Sequence, residues 1–151
     1  MRSFLLFISF ILTLGLQAQF KSTEKLIAEL NNTQFIINHE HKADFNLEGK
    51  TANKLIRKGK KISKQLLLAL NDTSKTIVTH LVLSNIYFGK VSFAGPKIAN
   101  QNDYHVYKYF LGEENGEGLI ISEIKSHGDY RKYVDKADLE KIKKYWERKA
   151  K

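Results

Sequence analysis

The hydrophobic pattern changes character along the chain. Phe4 to Leu16 is almost continuously apolar, broken by Ser9, Thr13 and Gly15. Arg2 precedes it and Gln17-Ala18-Gln19 follows. A positive start, a short apolar run and a small residue at the cleavage position make an export signal; the run is too short to cross a bilayer comfortably. The expectation is a signal peptide at 1–18 and one domain at 19–151, with an uncleaved N-terminal anchor as the alternative. Leu16 is larger than the residue preferred two positions before the cut, which blurs the site of cleavage but not its class.

Apolar residues then recur at helical spacing. Leu26, Ile27 and Leu30 share a face, with Ser22 or Thr23 placed to cap it. Phe35-Ile36-Ile37 is a short apolar run of open type, and His39 to Asp44 is polar, a loop or a helix end. Thr51 is placed to cap a helix carrying Leu55 and Ile56 that stops at Gly59, because glycine takes the left-handed C-terminal conformation without steric cost. Ile62, Leu66, Ala69 and Leu70 follow at helical spacing. Asn71 to Ser74 is a turn cluster suited to capping the next helix. Ile77 to Phe88 is apolar on nearly every side, which predicts a helix central to the core.

Gly89 to Asp103 reads as a long connection. Tyr104–Leu111 and Leu119–Ile124 are strand-like, and Asn115-Gly116 between them is a hairpin signal. A two-residue loop there pairs Lys108 with Glu123, Tyr107 with Ile124, Tyr109 with Ser122, Phe110 with Ile121 and Leu111 with Ile120. It also sets Glu114 against Glu117, a repulsion that a longer loop would relieve. A lone hairpin is marginal in water, so a third strand is expected, from 34–38 or 90–94, or packing on the helices. Finally Asp135 is an N-cap candidate, Val134 and Leu139 are spaced as a hydrophobic staple, and Leu139, Ile142 and Trp146 form an apolar stripe. The predicted class is α+β: N-terminal helices including an αα-hairpin, then a β-hairpin, then a C-terminal amphipathic helix.

Composition narrows the chemistry. The 151 residues contain no cysteine. That excludes disulfides, thiolate metal sites, iron–sulfur clusters, a cysteine nucleophile and a lipoprotein anchor. No nucleophile elbow, zincin helix, phosphate loop or dinucleotide fingerprint occurs. Gly112 to Gly118 is glycine-rich but carries Glu113, Glu114 and Glu117, which repel phosphate. His39-Glu40-His41 would present two ligands on one face of a strand but diverge on a helix, and no third ligand is indicated. No metal and no cofactor is implied. His80 lies among apolar neighbours and reads as a buried histidine bonded to a backbone carbonyl, a tyrosine or a serine; His105 and His127 flank the hairpin.

The formal net charge is +9. Lys54, Arg57, Lys58, Lys60, Lys61 and Lys64 form a run with no acid among them, and Lys136 to Lys151 is a second basic stretch. Such runs suit an acidic protein, an anionic head group or a polyanion, although a solvated, solubilising face is the plainer reading of the same residues. Tyr104, Tyr107, Tyr109 and Phe110 fall on a strand, as in single-strand nucleic-acid platforms. Export argues against nucleic acid as the partner, and core packing explains these rings better.

Residues 52–86 resemble one HEAT-type helical hairpin through Leu55, Gly59, Ile62, Leu66-Leu67, Leu70, Asp72 in the turn, and Val78, Leu81 and Ile86. In that family such hairpins stack into solenoids and bind other proteins. An array needs about three repeats, whereas here no second copy follows. The resemblance therefore implies a local αα-hairpin and a lean toward binding, and carries over no functional residue. Taken whole, the chain looks like a small exported bacterial protein, periplasmic or secreted. The expected function is non-enzymatic binding through the basic surface to an acidic protein or envelope polyanion. The alternative is a small exported hydrolase using His80 or His105 with a carboxylate such as Asp103 or Glu123.

Overall fold

The computed structural model describes residues 22–39, 44–101, 104–112, 114–126 and 129–150. The expected signal peptide at 1–18 lies outside them, as do His41, Asp103 and His127. Residues 22–28 are helical (α1), and after a single 3-10 turn come β1 (Phe35–Asn38) and β2 (Asp44–Leu47). Then follow α2 (Thr51–Lys58), a 3-10 turn at Gly59–Ile62, α3 (Ser63–Ala69) and α4 (Thr76–Phe88). The chain continues through β3 (Phe93–Gln101), β4 (Tyr104–Leu111), β5 (Leu119–Ser126), β6 (Asp129–Tyr133) and α5 (Lys136–Lys149). This is an α+β fold with a two-stranded β1–β2 sheet and a four-stranded antiparallel meander in the order β3-β4-β5-β6.

Helix α4 is the spine. Every residue from Thr76 to Ser84 is buried, and the helix packs against α2, α3 and β5. That follows from its all-round apolar sequence. Helix α2 turns Ala52 and Leu55 inward and its charges outward and ends at Gly59 as expected, although Gly59, with φ 68 and ψ −160, takes an extended positive-φ conformation and not the left-handed helical one. Its start differs: Thr51 caps nothing, and its hydroxyl donates to Glu29 Oε2 at 3.1 Å. The cap of α4 is also not local. Asn71–Ser74 folds on itself, with Asp72 accepting from the Ser74 backbone N–H (3.0 Å) and hydroxyl (2.6 Å). The N-terminal N–H groups of α4 are met by Asn32, whose Oδ1 accepts from Ile77 at 2.9 Å and Val78 at 3.4 Å. A helix start needs acceptors for its unpaired donors, and any side chain that reaches them serves. Asp135 stands at the N-cap position of α5 without a side-chain bond, while Leu139, Ile142 and Trp146 are buried as predicted.

The sheet departs furthest from expectation. The predicted connection at 89–103 is mostly strand β3, and β3 supplies the third strand from Phe93 onward; the alternative source, 35–38, pairs with β2 instead. Residues 129–133, not anticipated as a strand, form β6. The β4–β5 register is shifted by one residue. Leu111 pairs with Leu119, Tyr109 with Ile121, Lys108 with Ser122 and Tyr107 with Glu123. The loop is the longer one at 112–118. Within it Glu117 is buried, and its carboxylate accepts from the Asn115 N–H at 2.8 Å instead of facing Glu114. Because side chains alternate along a strand, a one-residue slip changes the neighbours of every side chain. Lys108 therefore does not meet Glu123.

The small sheet is fastened to the large one by aromatics. Phe35 stacks on Phe45 (5.0 Å between centroids), and both meet the edge of Phe93 at 5.9 and 5.3 Å. Phe93 in turn stacks on Tyr109 at 5.6 Å. Such pairs contribute about 0.5–1.5 kcal/mol each beyond area burial.

Candidate functional site

Where the aromatic column ends, the sheet face becomes polar. On β5, Glu123 lies between Tyr107 of β4 and Lys132 of β6 in the ladder, so all three point to the face covered by β1. Glu123 is 2% exposed. Its Oε2 stands 3.3 Å from His39 Nε2, and His39 Nδ1 is 3.2 Å from the Tyr109 hydroxyl. The Tyr109 hydroxyl also hydrogen-bonds the Glu123 carboxyl, so phenol, imidazole and carboxyl meet at one point. Lys132 donates to the Phe35 carbonyl. Burial raises the Glu123 carboxyl above its ordinary range, opposed by the charges of His39 and Lys132 and by the Tyr109 hydrogen bond. Burial likewise lowers the Lys132 ammonium, opposed by Glu123.

This cluster couples three parts of the fold: β1 through Phe35 and the His39 that follows it, the meander through Tyr109 and Glu123, and its outer strand through Lys132. Both ring nitrogens of His39 are engaged by the protein. The arrangement ties the small sheet to the large one, with His39 exposed at its outer edge and Glu123 buried beneath it.

His80 forms the second cluster. It is 0% exposed on α4. Nε2–H donates to the Leu111 carbonyl at 3.1 Å, and Nδ1 accepts from the Trp146 indole N–H at 3.0 Å. The carbonyl bond was expected; the second partner is a tryptophan, neither tyrosine nor serine. Burial pulls the imidazole down to about 4. Gly112, with φ +77, passes so close that a Cβ there would stand 3.1 Å from His80 Nε2 and 3.0 Å from Glu117 Cγ. His80 thus joins α4, α5 and the end of β4.

Neither histidine of the hydrolase alternative is the ion-pair partner of Glu123. His80 is sealed in the core with both nitrogens bonded. His105 is an exposed residue of β4 opposite Lys125, and the carboxylate Glu123 takes His39 as its ion-pair partner. Asp103 lies outside the described residues. Of the His39-Glu40-His41 trio only His39 is described, and no group of three metal-ligating side chains occurs among the described residues. The His39–Glu123 pairing escaped the sequence reading because its partners lie on different sheets and the assumed register offered Lys108 instead. An acid in an isoleucine-rich strand was the available signal.

The basic run is distributed over consecutive elements: Lys54, Arg57 and Lys58 on α2, Lys60 and Lys61 in the 3-10 turn, Lys64 on α3. All are exposed except Lys58, which is half-buried. Inward-facing Ala52, Leu55, Ile62 and Leu66 leave the charged positions facing water. Lys60 lies over the Tyr87 ring at 5.0 Å. Among the described residues no salt bridge to these six cations is found.

A hollow of about 440 Å³ opens on the other side of Lys132, between residues 31–33, Thr73, Ser74, Thr76 and residues 132–134. Several of its polar groups are committed to structure, Asn32 to capping α4 and Lys132 to Phe35. No family model, no curated protein and no solved structure matches this chain.

Proposed function

We propose that this chain is an exported, non-enzymatic binding protein, periplasmic or secreted, whose α2–α3 basic face engages an acidic protein or an envelope polyanion. The observation that carries the reading is the acid-free run of Lys54, Arg57, Lys58, Lys60, Lys61 and Lys64, all but the half-buried Lys58 exposed along consecutive elements and all outside any salt bridge among the described residues. Cations already neutralised by neighbouring carboxylates would add little to the external field; these retain theirs. The buried position of His80 and the protein-bound state of His39 support a non-enzymatic role. Export rests on the pattern of residues 1–18.

The test is retention on a sulfated anionic matrix as a function of salt. The wild-type chain is expected to elute late, and Lys58→Glu with Lys61→Glu to elute at clearly lower salt, because short-range attraction to an anionic surface is screened by ions. Identical elution of the two would overturn the reading.

A further inference from the structure

The basic face does not end in water. Lys64 is followed on the same face of α3 by Leu67 and Leu68, since residues three and four apart align on a helix. Leu68 is 71% exposed, the most exposed large hydrophobic residue described. Beside it lies an open groove of about 390 Å³ between α3 and α5, floored by Leu67 and Leu70 and rimmed by Lys64, Lys143 and Glu147. A single exposed leucine is unremarkable on a protein surface. Here it borders a concavity, and the cation at the head of that concavity belongs to the basic face.

We infer that this groove is the anchoring pocket of the binding face, and that its occupant is an acidic segment of a partner protein with one bulky aliphatic or aromatic side chain. The inference rests on the basic-face reading above. The bulky side chain lodges between α3 and α5 against Leu67 and Leu68. Carboxylates on the same segment run back along Lys64 and Lys61. Charge complementarity selects the acidic segment, and a recessed apolar anchor ringed by polar groups is the usual arrangement of a protein-binding hot spot. A lipid surface fits less well. The apolar floor is recessed between two helices where a membrane would need it to protrude.

Fluorescence anisotropy at low salt with synthetic peptides tests this. One labelled peptide carries a run of acidic residues ending in a Leu–Phe pair; a second carries the same run ending in two alanines. The first is expected to bind the purified protein about tenfold tighter or more, the effect of burying one such side chain. Leu68→Ser is expected to remove that preference while leaving the second peptide's affinity unchanged, and Leu68→Met to retain it. Lys58→Glu with Lys61→Glu weakens both peptides. Equal affinity of the two peptides for the wild type overturns the groove and leaves the basic face standing. Failure of both acidic peptides to bind overturns the basic face itself. A Leu68-dependent affinity for phosphatidylglycerol vesicles without the peptide preference overturns the choice of partner.

Discussion

Acid should loosen this protein through His80. Protonating that ring requires a hydrogen on Nδ1, where the Trp146 N–H already points at 3.0 Å, so the charged form sets two donors against each other in a site without water access. Burial accordingly holds the imidazole at about 4, against an ordinary 6.5. The folded chain binds this proton more weakly than the unfolded chain. The stability is therefore fully present above 6.5 and is lost progressively as pH falls toward 4. At about 1.36 kcal/mol per unit, the loss is on the order of 3 kcal/mol, a large part of a small domain's total. Urea unfolding followed by the fluorescence of Trp146, the single tryptophan, measures it directly at steps between pH 7.5 and 4. Among the described residues, Glu123 and Asp72 are also shifted in the acid range. Glu123, raised by burial, contributes stability that is present below its unfolded value and lost as pH rises through its folded one, so it opposes the trend. Asp72, lowered first by the Ser74 hydroxyl, acts in the same sense as His80 but only as pH falls below its ordinary 3.8. Comparison with His80→Gln cancels both. That variant is expected to be less stable at neutral pH by about 1–3 kcal/mol, because buried partners lose their bonds, yet to show a much shallower slope between 6.5 and 4. Parallel pH profiles for wild type and variant would refute the assignment of the slope to this ring.

Gly112→Ala forces a side chain onto φ +77 and within 3.0–3.2 Å of Glu117 and His80, and is expected to cost about 1–3 kcal/mol, read as a lowered thermal midpoint. Asn32→Ala removes the distant cap of α4 and should cost about 1–2 kcal/mol in chemical denaturation; an unchanged midpoint would show that water replaces it. A double-mutant cycle of His39→Ala and Glu123→Gln should yield a coupling of about 0.5–3 kcal/mol, and strict additivity would mean the clamp between the sheets is not energetic. Leu68→Ser should change stability by less than about 0.5 kcal/mol, as expected for an exposed position.

What the amino-acid sequence determined by itself is what depends on near neighbours. The inward stripe of α2 and its stop at Gly59, the all-round apolar α4 and the Leu139–Trp146 stripe of α5 all depend on spacing within one element, and each stands where the pattern put it. The basic run of Lys54, Arg57, Lys58, Lys60, Lys61 and Lys64 was likewise legible, because its inward apolar neighbours dictate which way the charges face. Tertiary structure decided the rest. Strand β3 contains Gly95-Pro96 and β6 reads Asp-Tyr-Arg-Lys-Tyr; neither has an autonomous strand signal, and each pairs with a neighbouring strand already in place. The β4–β5 register turned on whether Glu117 would face Glu114 or bury itself against Asn115, a choice made by the loop's three-dimensional path. His39 with Glu123, Asn32 on the start of α4, and His80 between Leu111 and Trp146 join residues far apart in the chain. Local propensity carries no information about such pairs, because their energy exists only once the elements have been brought together.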